Sequence, residues 1–163
     1  RRYELPARGI CNPDGRWEMN LRVSTAARSP IARGGVMAQR PKVLMIDDNK
    51  EICRLMKEYL EKTGKYEVTT FTDARMGVRY AQIERPDVIL LDLMMPDMDG
   101  TEAAEFLLDD EGTRNIPLIF ITAAIKKDEA EDRLGQIHGH PILAKPVTPV
   151  EVMNEIEKIL TLS

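Results

Sequence analysis

Four short apolar runs, each closing on a side chain able to do chemistry, limit what this chain can fold into more than any other feature. Val43-Leu44-Met45-Ile46 ends at Asp47-Asp48, Val88-Ile89-Leu90-Leu91 at Asp92, Leu118-Ile119-Phe120-Ile121 at Thr122, and the briefer Ile142-Leu143-Ala144 at Lys145. These runs lack the polar alternation of a strand with one wet face. They read as strands buried on both faces, the pattern of a parallel sheet. Tyr66 to Phe71 alternates and predicts one more strand, second in chain order.

Helical patterns fill the gaps. Ile52, Leu55, Met56, Tyr59 and Leu60 recur at helical spacing, with Gly64 as the stop. Residues 73–84 follow with Met76, Tyr80 and Ile83, and Pro86 forces a break. Ala103 to Leu108 is helical after the Asp99-Gly100 turn, and a polar helix is expected over 126–134. The last helix carries Val152, Met153, Ile156, Ile159 and Leu160. It opens on Thr148-Pro149-Val150-Glu151, which has capping-box spacing with Pro at the first helical position. Strand and helix alternate five times, so residues 41–163 predict a doubly wound α/β domain with helices on both faces of a parallel sheet.

Such sheets place their sites outside the carboxyl ends of the strands. That rule brings Asp47, Asp48, Asp92, Thr122 and Lys145 to one edge. Three carboxylates gathered there repel one another. A hard divalent cation such as Mg²⁺, which prefers oxygen ligands, would hold them. Lys145 supplies a further counter-charge, and the Thr122 hydroxyl a donor to an anionic oxygen. The set suits phosphoryl transfer to a carboxylate, with Asp92 as nucleophile.

Plainer readings stand beside this one. Asp47 and Asp48 could simply cap the first helix, Thr122 alone would be an ordinary strand-end hydroxyl, and Lys145 alone a solvated charge. Only together do they point to a site. His138 and His140 make a weak metal pair with no third ligand nearby, so a solvated loop is expected. Cys53, among apolar helix positions, reads as an inert buried thiol, and the methionines as core filler. The mixed charges of residues 126–133 read as an exposed helix face.

Charge divides the chain. Residues 1–40 hold eight Arg against three acids, whereas the rest holds 15 basic and 24 acidic residues, within a total of −4. An acidic body argues against general nucleic-acid binding. No apolar run approaches the roughly 18–20 residues that span a bilayer. Two cysteines, Cys11 and Cys53, do not make a disulfide framework, so a cytoplasmic setting is expected. Residues 1–40 show no sustained period and contain Pro6, Pro13, Pro30 and Gly34-Gly35. They are expected to be an unstructured or non-native extension, with Met37 or Met19 as alternative starts.

The motif blocks carry a resemblance. Lys42 to Asn49, Pro86 to Gly100 (with Asp92-Leu-Met-Met-Pro-Asp), Ile121-Thr-Ala-Ala124 and Ala144-Lys-Pro146 resemble the response-regulator receiver domain of two-component signalling. The likeness covers about residues 41–162, in order and at suitable spacing. It implies a flavodoxin-like (βα)5 fold with strand order 2-1-3-4-5. It also implies that Asp92 takes a phosphoryl group from a histidine kinase or phosphotransfer protein. Asp48 would bind Mg²⁺ directly (Mn²⁺ as a substitute), Asp47 through water, and the Met94 backbone carbonyl would complete the site. Lys145 would pair with Asp92 and then with the phosphate. Thr122 would move to bond the phosphate, with Ala123 leaving room, and the Lys145-Pro146 peptide would be cis.

Two departures stand out. The family usually has an aromatic switch residue three before the Lys, where this chain has Ile142, and Gly135 to Pro141 differs from the usual approach to the fifth strand. Met94 and Ala124 occupy the two positions that influence the attacking water, and neither can orient it, so slow autodephosphorylation is implied. The output would be binding of a downstream protein, with a homodimer among the outcomes the resemblance allows. The chain would not be an enzyme beyond its own phosphorylation and dephosphorylation. No output domain is expected after the last helix, and a receiver from a larger hybrid kinase or regulator is the nearest variant. An aspartyl-phosphate phosphatase would want an acid where Met94 stands. A flavin module would want a Ser/Thr/Gly-rich phosphate cradle where Asp47-Asp48-Asn49 stands.

Overall fold

In the computed structural model of this chain, the described residues are 10–11, 17–18, 39–96, 98–123 and 139–162. The chain divides into two units, Arg1–Gln39 and Arg40–Ser163. In the first, Ile10–Cys11 pairs antiparallel with Trp17–Glu18. Strands of two residues are too short to leave a period in the sequence. The expected helix over 126–134, Ala124, His138, Met19 and Met37 lie outside the described residues.

The second unit is built on β1 (Lys42–Ile46), β2 (Glu67–Phe71), β3 (Val88–Asp92), β4 (Leu118–Thr122) and β5 (Ile142–Ala144). All pairs are parallel, in the order β2-β1-β3-β4-β5. The helices are α1 (Lys50–Lys62), α2 (Ala74–Glu84), α3 (Gly100–Asp109) and α4 (Pro149–Leu162). This is the α/β architecture and strand order that the apolar runs and the resemblance predict.

Why the runs are wholly apolar is now visible. Leu44, Ile46, Ile89, Leu91, Leu118 and Phe120 pack with α2 and α3 residues such as Val78, Ala81, Ala103 and Leu107. Their neighbours in sequence, Val43, Met45, Val88, Leu90, Ile119 and Ile121, pack on the other face with Cys53, Met56 and Leu60 of α1 and Val152 and Ile156 of α4. Successive strand residues point to opposite faces, and both faces are dry. Every residue of β3 and β4 is buried, including Asp92 and Thr122.

Local signals set the ends. Asn49 caps α1, its side chain accepting from the N–H groups of Glu51 and Ile52 at 3.0 and 3.2 Å. The cap is therefore not Asp47 or Asp48, which frees both carboxylates for the sheet edge. Gly64 takes a left-handed turn (φ 71°) just past α1. Arg85 takes the left-handed position after α2, directly before Pro86. At α4 the capping box is reciprocal: Thr148 N–H donates to Glu151 Oε2 (2.7 Å), and Glu151 N–H donates to Thr148 Oγ1 (3.3 Å). No helix among the described residues is long and apolar enough to cross a membrane.

Candidate functional site

Each polar side chain singled out above stands where a strand ends. β1 delivers Asp47 and Asp48, β3 ends on Asp92, β4 on Thr122, and β5 hands over to Lys145. Adjacent parallel strands lie about 4.8 Å apart, so ends in register put these groups within reach of one another. One carboxylate oxygen each from Asp47, Asp48 and Asp92 lies within 4.8 Å of the other two. Asp47 and Asp92 are buried (1 % and 3 % exposed), whereas Asp48 faces out.

Backbone groups hold the carboxylates in place. Asp47 N–H donates to the Phe71 carbonyl (3.1 Å), and Asn49 N–H donates to Asp47 Oδ1 (2.9 Å). Met94 N–H donates to Asp92 Oδ1 (3.0 Å). Lys145 then enters between the two buried acids, its Nζ 2.8 Å from Asp47 Oδ2 and 2.6 Å from Asp92 Oδ2. It is aimed there by its own N–H, which bonds the Thr122 carbonyl at 2.7 Å, and the Lys145-Pro146 peptide that follows is cis. Burial presses Lys145 toward its neutral form, but the hydrogen bonds and charges of Asp47 and Asp92 outweigh it. The ammonium is held above its ordinary value and stays charged.

The donor set fits a divalent cation. Three carboxylates, two of them buried, face one ammonium, so positive charge is short at this sheet edge. All available ligand atoms are hard oxygens, the kind Mg²⁺ takes. This trio is the group of that kind among the described residues.

Other expected positions are less central. Thr122 is fully buried at the end of β4, and Ala123 after it is exposed. Ile142 is buried in the core with Phe120, its partner across the β4–β5 ladder. Pro146 is exposed. His140 is not in a solvated loop: its Nδ1 accepts from Leu118 N–H at 3.4 Å, and its ring meets Phe120 edge-on, centroids 6.2 Å apart.

Two supporting residues escape sequence reasoning. The Cys53 thiol donates to the Asp47 carbonyl at 3.3 Å, bracing the turn that carries both β1 acids. Burial, reinforced by the charge of Asp47, pushes that thiol up to about 12. Gly100 lies so close to β3 that a Cβ there would sit 2.1 Å from the Asp92 carbonyl oxygen. The pair Asp99-Gly100 signals a turn in the sequence, but nothing in it announces that contact.

Comparison with known proteins agrees with this fold. Residues 43–157 match the response regulator receiver domain. The transcriptional regulatory protein PhoP of alkaline phosphatase synthesis in Bacillus subtilis is 35 % identical over 121 residues, 73 % of this chain and 48 % of PhoP. The chain thus spans about half the length of that relative. The polar-differentiation response regulator DivK of Brucella anthropi is 31 % identical over 119 residues, 72 % of this chain and 94 % of DivK. Among solved structures, the chemotaxis protein CheY4 of Vibrio cholerae superposes with a TM-score of 0.64 at 27 % identity, covering 74 % of this chain and 98 % of its own. The receiver domain of the sensor histidine kinase PA1611 of Pseudomonas aeruginosa gives 0.63 at 28 % identity, covering 74 % and 97 %, and holds a magnesium ion in its active-site cleft.

Proposed function

The chain belongs to the response regulator receiver family of two-component signalling, and on that footing we propose that Asp92 is the phosphoacceptor of a cytoplasmic phosphorelay switch. A carboxylate oxygen of Asp92 attacks the phosphorus of a phosphohistidine on a histidine kinase or phosphotransfer protein. The new O–P bond forms as the P–N bond breaks, and the imidazole leaves. Such transfers ask little covalent chemistry of the protein beyond positioning and charge neutralisation.

The observation that carries the reading is the Lys145 ammonium, 2.6 Å from Asp92 and 2.8 Å from Asp47, at the mouth of the acidic trio. It is placed to follow the charge from the carboxylate to the phosphoryl oxygens. Mg²⁺, held by Asp48, Asp47, Asp92 and the backbone carbonyl of Met94, would neutralise the incoming phosphoryl group. Met94 N–H fixes the Asp92 rotamer, and Thr122 is the hydroxyl at the adjoining strand end. Met94, two residues after the acceptor, carries no side-chain group that strongly hydrogen-bonds an attacking water, so the phosphoryl group is long-lived.

Phosphorylation changes a surface read by a downstream protein. Ile142 sits in the core among aliphatic neighbours and Phe120, so the signal passes without an aromatic swing at that position. The test is incubation with Mg²⁺ and acetyl phosphate, read by intact mass. One phosphate should be added to the parent chain and none to Asp92→Asn. No adduct on the parent under several phosphodonors overturns the reading.

A further inference from the structure

Among the seven methionines whose side chains are described, Met45, Met56 and Met98 are buried and Met76, Met95 and Met153 half-buried. Met94 alone of these is exposed, at 58 %. It is also the one tied to the site. Its backbone N–H is hydrogen-bonded to Asp92 Oδ1 at 3.0 Å, so its thioether leaves the chain from the segment that grips the acceptor carboxylate. Oxidation of methionine follows access of the oxidant to sulfur, and it turns a weak acceptor into a strong, polar one. The outcome here is specific to place: the new acceptor is carried by the residue whose backbone N–H bonds a carboxylate whose phosphorylated form is hydrolysed by water.

We propose that Met94 is an oxidation site, and that its sulfoxide shortens the life of a phosphoryl group on Asp92. The second half rests on the phosphoacceptor reading above. The oxidant is hydrogen peroxide or another hydroperoxide. The sulfur lone pair attacks one peroxide oxygen, the O–O bond breaks and an S–O bond forms. The sulfur loses two electrons, and the other oxygen leaves as water, or as the alcohol when a hydroperoxide is the oxidant. The sulfoxide oxygen then accepts a hydrogen bond from a water near the phosphorus and orients it for attack. Reduction of the sulfoxide restores the thioether and the slow decay.

The experiment has two arms. In the first, the unphosphorylated full chain is treated with graded hydrogen peroxide and mapped by peptide mass. Met94 should gain one oxygen before any of the other six described methionines. Oxidation of Met76, Met95 or Met153 at equal or lower dose overturns the site itself. This arm needs no phosphorylation, so it stands apart from the phosphoacceptor reading.

In the second arm, Asp92 phosphate decay is followed with Mg²⁺, before and after peroxide. The expected acceleration is about fivefold, the rate equivalent of one ordinary hydrogen bond to the attacking water. Met94→Leu should show no response to peroxide, and Met94→Gln should decay faster without it. An unchanged rate in oxidised parent, or equal acceleration in Met94→Leu, refutes the coupling. Absence of any Asp92 phosphate removes the coupling along with the phosphoacceptor reading, while the oxidation site stands or falls by the first arm.

Discussion

Gly100→Ala is the sharpest test of how the phosphoacceptor strand is held. The added carbon would lie 2.1 Å from the Asp92 carbonyl oxygen, 2.5 Å from Leu93 Cα and 2.9 Å from the Asp92 carbonyl carbon. An unstrained carbon–oxygen contact is about 3.3 Å, so α3 and the end of β3 must part by roughly 1 Å. All three atoms are backbone, and none can rotate away. Parting them also strains the Gly100 N–H to Leu93 carbonyl bond of 3.1 Å. Overpacking of this kind costs about 1–3 kcal/mol and the lost hydrogen bond about 1 kcal/mol. The better helix propensity of Ala returns up to about 1 kcal/mol. The net expectation is a loss of about 1–3 kcal/mol.

Urea denaturation reads this directly. With a slope of about 2 kcal/mol per molar, the midpoint should fall by about 1 M. Displacing Asp92 by roughly 1 Å should also slow its phosphorylation by about a hundredfold. Gly112→Ala is the milder comparison: the nearest atoms to its Cβ are side-chain atoms, the Arg85 guanidinium at 3.1 Å and Asp110 Oδ1 at 3.0 Å, the latter held by the Gly112 N–H at 2.8 Å, and they need give only a few tenths of an ångström. Its midpoint should fall by much less than that of Gly100→Ala. A Gly100→Ala chain with the parent's midpoint and phosphorylation rate would show that this close approach does not constrain the site.

Other consequences concern charge and the sheet edge. Lys145→Ala removes the partner of two buried carboxylates and should destabilise the fold by about 3 kcal/mol, with Mg²⁺ recovering more of the unfolding midpoint than it adds to the parent. Equal Mg²⁺ effects on both chains would contradict the shared site. A thiol pushed up to about 12 should make native Cys53 react with maleimide at pH 8 about a thousandfold more slowly than in urea-unfolded chain. Because the fold favours the neutral thiol, the stability it contributes is complete below the ordinary thiol value of 9.0 and is lost as pH rises toward about 12. A stability curve flat over that window would exclude it. Glu61 Oε1 accepts from Val68 N–H on edge strand β2 at 3.2 Å and is paired with Lys57 at 3.1 Å. Glu61→Ala should therefore expose that edge and raise concentration-dependent association in sedimentation.

Much of this protein is legible along the chain. A run such as Val88 to Leu91 reports its own burial on both faces, because successive strand residues alternate sides and all of them are apolar. Gly64, Pro86 and the Thr148–Glu151 box mark helix ends through backbone rules that act over a few residues. The acids at the strand ends could be picked out because a parallel sheet brings its carboxyl ends to one edge. Ile10–Cys11 and Trp17–Glu18 leave no such trace, since two residues cannot show a period.

Asp92 and its setting divide the two kinds of information. Sequence alone made it the acid at the end of a doubly buried strand, in company with Asp47, Asp48, Thr122 and Lys145. Tertiary structure alone decided that Lys145 bonds both Asp47 and Asp92, that Asn49 rather than either β1 acid caps α1, and that Cys53 braces the Asp47 carbonyl. It alone decided that α3 approaches β3 closely enough to require Gly100. Periodicity and capping are local properties, expressed over one or two turns of chain. A contact between residues 53 or 98 positions apart depends on every strand, helix and turn between them, and only the folded chain brings them together.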